Sequence, residues 1–319
     1  MSRLHRRAAL GALLAAPALL THPAAAQDAP RAFRIGYQKN GILVLAKQRR
    51  AIEERLQPQG IEVRWIEFSF GPPLLEALNV GSVDFGTTGD APPIFAQAAG
   101  ANLLYVAQAP NGGSSSAILV PNGSSLRDLG ALKGKRVAFA KASSAHNLTV
   151  AALEKTGLSY KDIQPIHLAP ADAAAAFSRG SVDAWTIWDP YFAVAERGEG
   201  VRVLASARDI APQNAFYLGN RTVTERHPRV VRAVIDALSE VAAWSNAHRG
   251  EVAALLAAGT GIDGEAMARA VARSDFTIQA GVDATVATEQ QRIADRFHGL
   301  GLIPKPVRIR DAVWAPPAA

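Results

Sequence analysis

A ten-residue string that occurs twice is the feature that most constrains how this chain folds. Residues 81–90 read GSVDFGTTGD and residues 180–189 read GSVDAWTIWD, so six positions are identical at an offset of 99. The strings RIGYQK at 34–39 and RVAFAK at 136–141 correspond at an offset of 102. Two long copies indicate a duplicated domain rather than a solenoid, since each is large enough to form its own core. The sequence therefore predicts two similar α/β lobes.

The order of strands and helices follows the same duplication. Strand-like runs alternate with helical runs in both halves, at residues 33–37, 60–68, 83–85, 136–140, 163–168 and 182–185. This alternation predicts that each lobe is a mostly parallel sheet flanked by helices. We expect lobe I to comprise residues 27–112 plus 218–319 and lobe II to comprise residues 113–217, with a hinge at 114–116.

Composition excludes several classes of function. The chain has 319 residues, of which 49% are hydrophobic and 19% charged, as expected of a globular protein with room for two domains. It has no cysteine, which excludes disulfides, thiolate metal sites, cysteine nucleophiles and a lipoprotein anchor. The formal charge of +6 falls to +3 without the three arginines of the N-terminal leader, which is too low to indicate nucleic-acid binding.

The first 26 residues have the pattern of a secretory signal peptide. A basic start is followed by an apolar run at residues 8–20 and by three alanines at 24–26. The run is too short to span a bilayer, which takes about 20 apolar residues. We expect residues 1–26 to be removed and the mature chain to be exported to the periplasm. The pair Arg6-Arg7 leaves the twin-arginine route open beside the general one.

Polar residues follow the predicted strands in both lobes. Ligands of open α/β sheets bind at the carboxyl ends of the strands, where helix N-termini present backbone N–H groups. The candidate ligand-binding residues at these ends are Gln38, Thr87, Thr88, Gly89 and Asp90 in lobe I and Ser143, Ser144, His146, Asn147, Trp188 and Asp189 in lobe II. Neutral donors on two facing lobes predict a cleft for a small anion.

Each candidate also has a structural interpretation. Thr88 and Asp90 can cap a helix, Ser143 is typical of a helix start, and Trp188 suits a core. An isolated histidine such as His146 is more often solvated or capped than a ligand. The chain has no G-x-S-x-G elbow, no H-E-x-x-H and no phosphate-binding glycine loop. We therefore expect a binding protein without metal or cofactor rather than an enzyme.

A resemblance to a known family covers nearly all of residues 33–314. The strings that carry it are RIGYQK at 34–39, LVLAK at 43–47, EALNVGSVDFGTTGDAPPIFAQAAGA at 76–101, KASSAHN at 141–147, DIQPIHLAPADA at 162–173, GSVDAWTIWDPYF at 180–192 and RIRDAVW at 308–314. The chain resembles the periplasmic aliphatic sulfonate-binding proteins (SsuA-like) of the nitrate, sulfonate and taurine group, which feed ABC importers. Ala142 stands where the family's form of the fourth string has Gly.

The resemblance implies a type II two-lobed solute-binding fold that captures its ligand between the lobes and delivers it to the membrane permease of an ABC importer. It also implies a cleft built from Gln38, the Thr88–Asp90 turn, the Ser143–Asn147 helix start and Trp188-Asp189. A sulfonate offers three oxygen acceptors and no donor. We therefore expect Asp90 and Asp189 to cap backbone N–H groups, to orient donors or to meet an amine on the ligand tail. We expect the alkyl tail to lie on Trp188 and Phe70.

Other ligands and one other class of protein stay open at this point. Taurine, nitrate or a thiamine-precursor pyrimidine could occupy the same fold, and a free acid facing the ligand tail would favour taurine. A desulfinase-like enzyme on this fold would depend on a cysteine nucleophile, which this chain lacks. We expect a monomer that closes about its hinge around the ligand.

Overall fold

The computed structural model describes residues 29–198 and 200–316, so the predicted signal peptide lies outside the described residues. The strands are β1 Ala32–Tyr37, β2 Glu62–Glu67, β3 Phe85–Gly89, β4 Leu103–Asn111, β5 Ser116–Pro121, β6 Arg136–Phe139, β7 Gln164–His167, β8 Ala184–Trp188, β9 Val201–Ser206, β10 Gln213–Asn220 and β11 Gln279–Ala280. The α-helices are α1 Gly41–Gln48, α2 Ala51–Leu56, α3 Gly71–Asn79, α4 Ala91–Ala98, α5 Ser144–Lys155, α6 Pro170–Ser178, α7 Tyr191–Arg197, α8 Arg221–Arg226, α9 Pro228–Ala247, α10 Arg249–Thr260, α11 Gly264–Arg273 and α12 Ala284–Gly299. Within the described ranges, no helix is both long and apolar enough to cross a membrane.

The strands form two sheets with helices on both faces. The first sheet has the order β11-β4-β10-β3-β1-β2, and the second has the order β7-β6-β8-β5-β9. Helices α1, α2, α9, α10 and α11 pack on one face of the first sheet, and α3, α4 and α12 pack on the other. Helix α5 covers one face of the second sheet, while α6 and α7 cover the other. The C-terminal helices α9–α12 thus pack on the first sheet rather than on the second.

The duplicated strings have the same structural role in both halves. In the first sheet the carboxylate of Asp84 accepts hydrogen bonds from the backbone and guanidinium of Arg34, with a shortest distance of 2.6 Å. In the second sheet Asp183 accepts from Arg136 in the same way, at 2.7 Å. The two arginines and the two aspartates come from the two repeated strings. Both strings are therefore repeated together, because one supplies the arginine and the other supplies the aspartate of the same contact.

Both sheets are mixed rather than mostly parallel. Strand β1 pairs in parallel with β2 and β3, and β6 does the same with β7 and β8. The third strand of each copy then meets an antiparallel neighbour, β10 beside β3 and β5 beside β8. These neighbours extend the third strands beyond the predicted ends, so Thr87–Gly89 and Trp188 lie in strands rather than in the loops after them. Sequence periodicity could not show this, since the partner strands are distant in the chain.

The helical pattern of the sequence predicts one helix from about Ile42 to Leu56, but the structure has two helices here. Helix α1 ends at Gln48 and α2 begins at Ala51, because Arg50 has a left-handed φ of 55° that interrupts the helical backbone. The break turns the chain so that both short helices pack on the first sheet.

The chain passes between the sheets twice, before Ser116 and before Gln213. The two connections touch at Gly113, where an added Cβ would lie 2.6 Å from the backbone nitrogen of Arg208. Lobe I is the first sheet with α1–α4 and α8–α12, and lobe II is the second sheet with α5–α7. The predicted lobe bounds stay a prediction, and the bound after residue 217 would cut β10, which belongs to the first sheet.

Candidate functional site

A cavity of about 210 Å³ lies between the two sheets, lined by residues of both lobes. Eight of the predicted site residues line it, namely Gln38, Thr87, Thr88, Gly89, Ser143, Ser144, Trp188 and Asp189. Three others, Asp90, His146 and Asn147, do not line it but lie buried behind its wall. Phe70, predicted to touch a ligand tail, does not line it either. The cavity wall therefore contains most of the predicted site, and the remainder serves the contact between lobes.

Asp90 joins the lobes rather than facing the cavity. It is fully buried; its Oδ1 accepts from the backbone N–H of Ala91 at 2.7 Å, and its Oδ2 accepts from the side-chain amide of Asn147 at 2.7 Å. Asn147 lies in lobe II and its own oxygen accepts from Arg296 of α12 at 3.0 Å. Burial raises the pKa of Asp90 to about 6. Asp90, the last residue of the first duplicated string, therefore forms a buried contact between the lobes.

His146 is an aromatic packing residue of the same contact. Its ring lies between Phe139 of lobe II and Phe95 and Phe297 of lobe I, with centroid distances of 5.0, 5.8 and 5.1 Å. Its Nδ1 accepts from the backbone N–H of Ala142 at 3.2 Å. Burial lowers the pKa of His146 to about 3, so the ring is neutral at ordinary pH.

Asp189 lines the cavity, but an arginine neutralises its charge. Arg273 of α11 donates to both of its carboxylate oxygens, at 3.0 and 3.1 Å, and also to Glu196 at 2.6 Å. The Asp189 side chain is only 6% exposed. Burial raises the pKa of Asp189 to about 6, although the neighbouring guanidinium favours its ionised form. This ion pair also joins lobe II to lobe I.

Gly89 and Ser144 face each other across the boundary between the two lobes. A Cβ built on Gly89 would lie 1.9 Å from the Ser144 hydroxyl oxygen, inside any allowed contact. Gly89 is the last residue of β3, and Ser144 is the first residue of α5. A glycine is required here because the second lobe occupies the place where a side chain would be.

Several helices begin at the cavity, but prolines and a carboxylate reduce the backbone donors of two of them. Helix α3 continues after Gly71 with Pro72-Pro73, and α4 continues after Ala91 with Pro92-Pro93; these prolines have no N–H, and the Ala91 N–H is already used by Asp90. The N-terminus of α1 lines the cavity at Gly41, and no side chain caps it. Helix α5 begins at the cavity from the other lobe. The free first-turn amides of α1 and α5 carry partial positive charge and suit an anion.

Charged side chains of the cavity wall, among the described residues, are two carboxylates, Asp189 and Asp275, with no lysine, arginine or histidine. Within the same residues no group of three or more histidine, aspartate and glutamate side chains is placed to hold a metal ion. An anion in this cavity would therefore be held by amides and hydroxyls alone.

Comparison with known proteins places the chain in a family. The NMT1-like family model matches residues 27–258. A putative aliphatic sulfonates-binding protein of Escherichia coli K12 is 45% identical over 297 residues, which are 93% of this chain and 92% of that protein. The chain belongs to the aliphatic sulfonate-binding proteins of the NMT1-like family.

Two solved structures of this family share the fold. The periplasmic aliphatic sulphonate binding protein SsuA from Escherichia coli has a TM-score of 0.83 at 44% identity, over 91% of this chain and 94% of that chain. The alkanesulfonate-binding protein SsuA from Xanthomonas axonopodis pv. citri, bound to MOPS, has a TM-score of 0.84 at 42% identity, over 89% and 98%. Both relatives are binding proteins by name, and this chain has their two-lobed periplasmic binding protein fold.

Ala142, the departure from the family's form, has a positive φ of 60°. The left-handed region favours glycine, so the family's Gly suits this backbone better than alanine does. The conformation is kept here because Ala142 N–H donates to His146 and the following Ser143 caps α5.

Sequence reasoning missed several parts of the wall. Asn40 and Gly41 lie two and three residues after the predicted Gln38, and the start of α1 could have been found from the glycine before an apolar run. Residues at the two crossings between the sheets, at 109–111, 115–116 and 213–215, also line the cavity. A further part, at residues 267–277 in α11 and the loop after it, has no motif and lies far along the chain. It reaches the cavity only because α10 and α11 pack against α1 and the first sheet.

Proposed function

We propose that this protein captures aliphatic sulfonates between its lobes and delivers them to the membrane permease of an ABC importer. One observation carries the proposal: the cavity presents amide and hydroxyl donors from both lobes and, among the described residues, no cationic side chain. The relatives named above as aliphatic sulfonate-binding proteins support the ligand class.

The chemistry of a sulfonate fits these donors. Its three oxygens are acceptors at any ordinary pH, and it has no proton to donate to an acceptor in the wall. The first-turn amides of α1 approach from lobe I, and those of α5 approach from lobe II. Neither aspartate of the duplicated strings opposes the anion, since Asp90 is held by Ala91 and Asn147, and Asp189 is held by Arg273.

Binding is completed by closure of the lobes. A ligand held by α1 alone gains the donors of α5 only when lobe II approaches, so it binds the closed form more tightly. The Asp90–Asn147 and Asp189–Arg273 contacts then form between the lobes. The closed shape is what the permease would recognise, and no covalent step is involved.

The cellular setting follows from the leader and the family. The leader at residues 1–26 directs export to the periplasm, by the general route or the twin-arginine route that Arg6-Arg7 leaves open. The mature chain acts as a monomer that hinges near residues 114–116.

Isothermal titration calorimetry of the mature chain tests the ligand class. Methanesulfonate, hexanesulfonate, taurine, sulfate, nitrate and a thiamine-precursor pyrimidine would be titrated separately. We expect micromolar or tighter binding of the alkanesulfonates and at least tenfold weaker binding of nitrate and of the pyrimidine. Tighter binding of nitrate or the pyrimidine than of every sulfonate would overturn the proposal.

A further inference from the structure

The wall formed by the end of α11 and the loop after it has a different character from the donor-rich wall. Met267, Val271 and Phe276 give it an apolar surface, and Asp275 adds a carboxylate. The starts of α1 and α5, which supply the anion donors, line the same cavity as this segment. An elongated ligand whose head lies at α1 and α5 can therefore place its tail on this segment.

Asp275 differs from the other carboxylate of the cavity. Asp189 is 6% exposed and is paired on both oxygens with Arg273. Asp275 is exposed and has no hydrogen bond or ion pair with any residue in 29–198 or 200–316. One carboxylate of the wall is therefore neutralised by the protein, and the other is left for solvent or ligand.

The cations near Asp275 in the chain are bound elsewhere. Arg273, two residues before it, is engaged with Asp189 and Glu196. Arg249 donates to the backbone carbonyls of Val271 and Ser274 at 3.1 and 2.6 Å. Both guanidinium groups thus stabilise the backbone and the lobe contact, and neither neutralises Asp275.

The backbone opposite Asp275 leaves room beside its carboxylate. A Cβ built on Gly112, in the connection between the lobes, would lie 3.5 Å from Oδ2 of Asp275. No side chain of residue 112 therefore lies against this oxygen, and Asp275 itself lines the cavity.

We propose that Asp275 is a specificity-determining residue that selects sulfonates carrying a cationic amine in their tail. The proposal rests on the proposed function, because it requires the sulfonate head to lie at the amides of α1 and α5. A zwitterionic sulfonate matches both walls, with its anionic oxygens on the amides of α1 and α5 and its ammonium on the free carboxylate. A plain alkanesulfonate occupies the same cavity but leaves Asp275 unmatched.

The experiment is a double-mutant cycle between ligand and protein. Affinities of 2-aminoethane-, 3-aminopropane-, 4-aminobutane- and 5-aminopentanesulfonate, and of the alkanesulfonates of the same lengths, are measured for the native protein and for Asp275→Asn. At one chain length we expect the loss of affinity on substitution to be about two- to fivefold larger for the amine, as for an ion pair at an exposed site. The difference should shrink as salt is raised.

Two further variants sharpen the assignment. Glu251→Gln removes the same charge from an exposed position of α10 outside the cavity wall. It should change the affinity for the amine and for the alkanesulfonate of the same length by the same factor. Asp275→Glu keeps the charge but extends the side chain, so the best chain length should become shorter by one methylene group.

The outcomes separate this proposal from the function on which it rests. Binding of both ligand series with no coupling to Asp275 at any length overturns the role of Asp275 and leaves the sulfonate function standing. Equal coupling in Glu251→Gln reduces the effect to net charge and also overturns it. Failure of every sulfonate to bind the native protein contradicts the proposed function itself.

Discussion

The two copies of the repeated string begin alike and end differently. In both, the GSVD half closes a helix and places an aspartate on the arginine of the first strand, Asp84 on Arg34 and Asp183 on Arg136. The TTGD and TIWD halves diverge, so that lobe I presents a glycine where lobe II presents Trp188. The comparison shows that the first half of the string has the same structural role in both lobes, while the second half differs between the lobes where it lines the cavity.

The aspartates that end the two copies both form a contact between the lobes, but with different partners. Asp90 crosses from lobe I to the neutral amide of Asn147, and Asp189 crosses from lobe II to the guanidinium of Arg273. Each therefore holds the lobes together. Only the second contact adds a cation beside the cavity, where it balances a carboxylate in the wall.

The largest effect should come from Gly89→Ala. The added methyl group would meet the Ser144 hydroxyl at the boundary between the lobes, so closure is blocked and sulfonate affinity should fall about 100-fold. Calorimetry with butanesulfonate measures the loss. The double variant with Ser144→Ala should recover part of it, and no recovery would mean that the glycine matters for another reason.

Arg273→Met should follow, with a loss of about 30-fold in sulfonate affinity. It leaves Asp189 unpaired in the cavity wall, where its negative charge repels the bound anion and one interlobe contact is lost. Adding Asp189→Asn removes that charge and should restore most of the affinity. If the double variant binds as weakly as the single one, the repulsion is not the cause.

Trp188→Ala tests whether the divergent tryptophan serves the ligand. It lines the cavity, although it also packs against the core of lobe II. We expect about a tenfold loss for hexanesulfonate and a smaller loss for methanesulfonate, since only the longer ligand has a tail to contact the ring. Equal losses at both lengths would assign Trp188 to the core alone.

The pH dependence of stability separates Asp90 from an ordinary carboxylate. Its pKa is raised to about 6 by burial, from 3.8 in the unfolded chain, so the folded protein binds this proton more tightly. Its contribution to stability is therefore present at low pH and is lost as pH rises through 6. Between pH 7 and pH 5 the native protein should gain about 1 kcal/mol relative to Asp90→Asn. Denaturant unfolding at the two pH values measures the gain, and parallel curves for the two proteins would contradict it.

Ala142→Gly should have the smallest effect and the opposite sign. Because φ at this position is 60°, glycine relieves backbone strain and should raise the free energy of unfolding by about 0.5 kcal/mol. Ala140→Gly, at a neighbouring position without a positive φ, should destabilise the protein instead. A loss of stability in Ala142→Gly would show that the alanine methyl group makes a contact that outweighs the strain.

Much of the fold follows from the sequence because its evidence is local. The repeat, the alternation of strands and helices and the polar residues after each strand are legible within short windows, and they predict two α/β lobes facing a cleft. Eight of the residues that they single out, from Gln38 to Asp189, line the cavity. The break at Arg50 and the mixed sheets were missed, because neither a left-handed residue nor a distant antiparallel partner alters local periodicity.

What the tertiary structure alone decided is which polar groups face the ligand. Sequence placed Asp90, His146 and Asn147 beside Thr88 and Ser144, but a strand or helix has two faces, and packing of α4 and α12 against α5 buried those three. It also brought Arg273 and Asp275, about 85 residues beyond Asp189, to the same cavity. Burial and charge matching depend on neighbours in space, and those neighbours exist only once both lobes have folded.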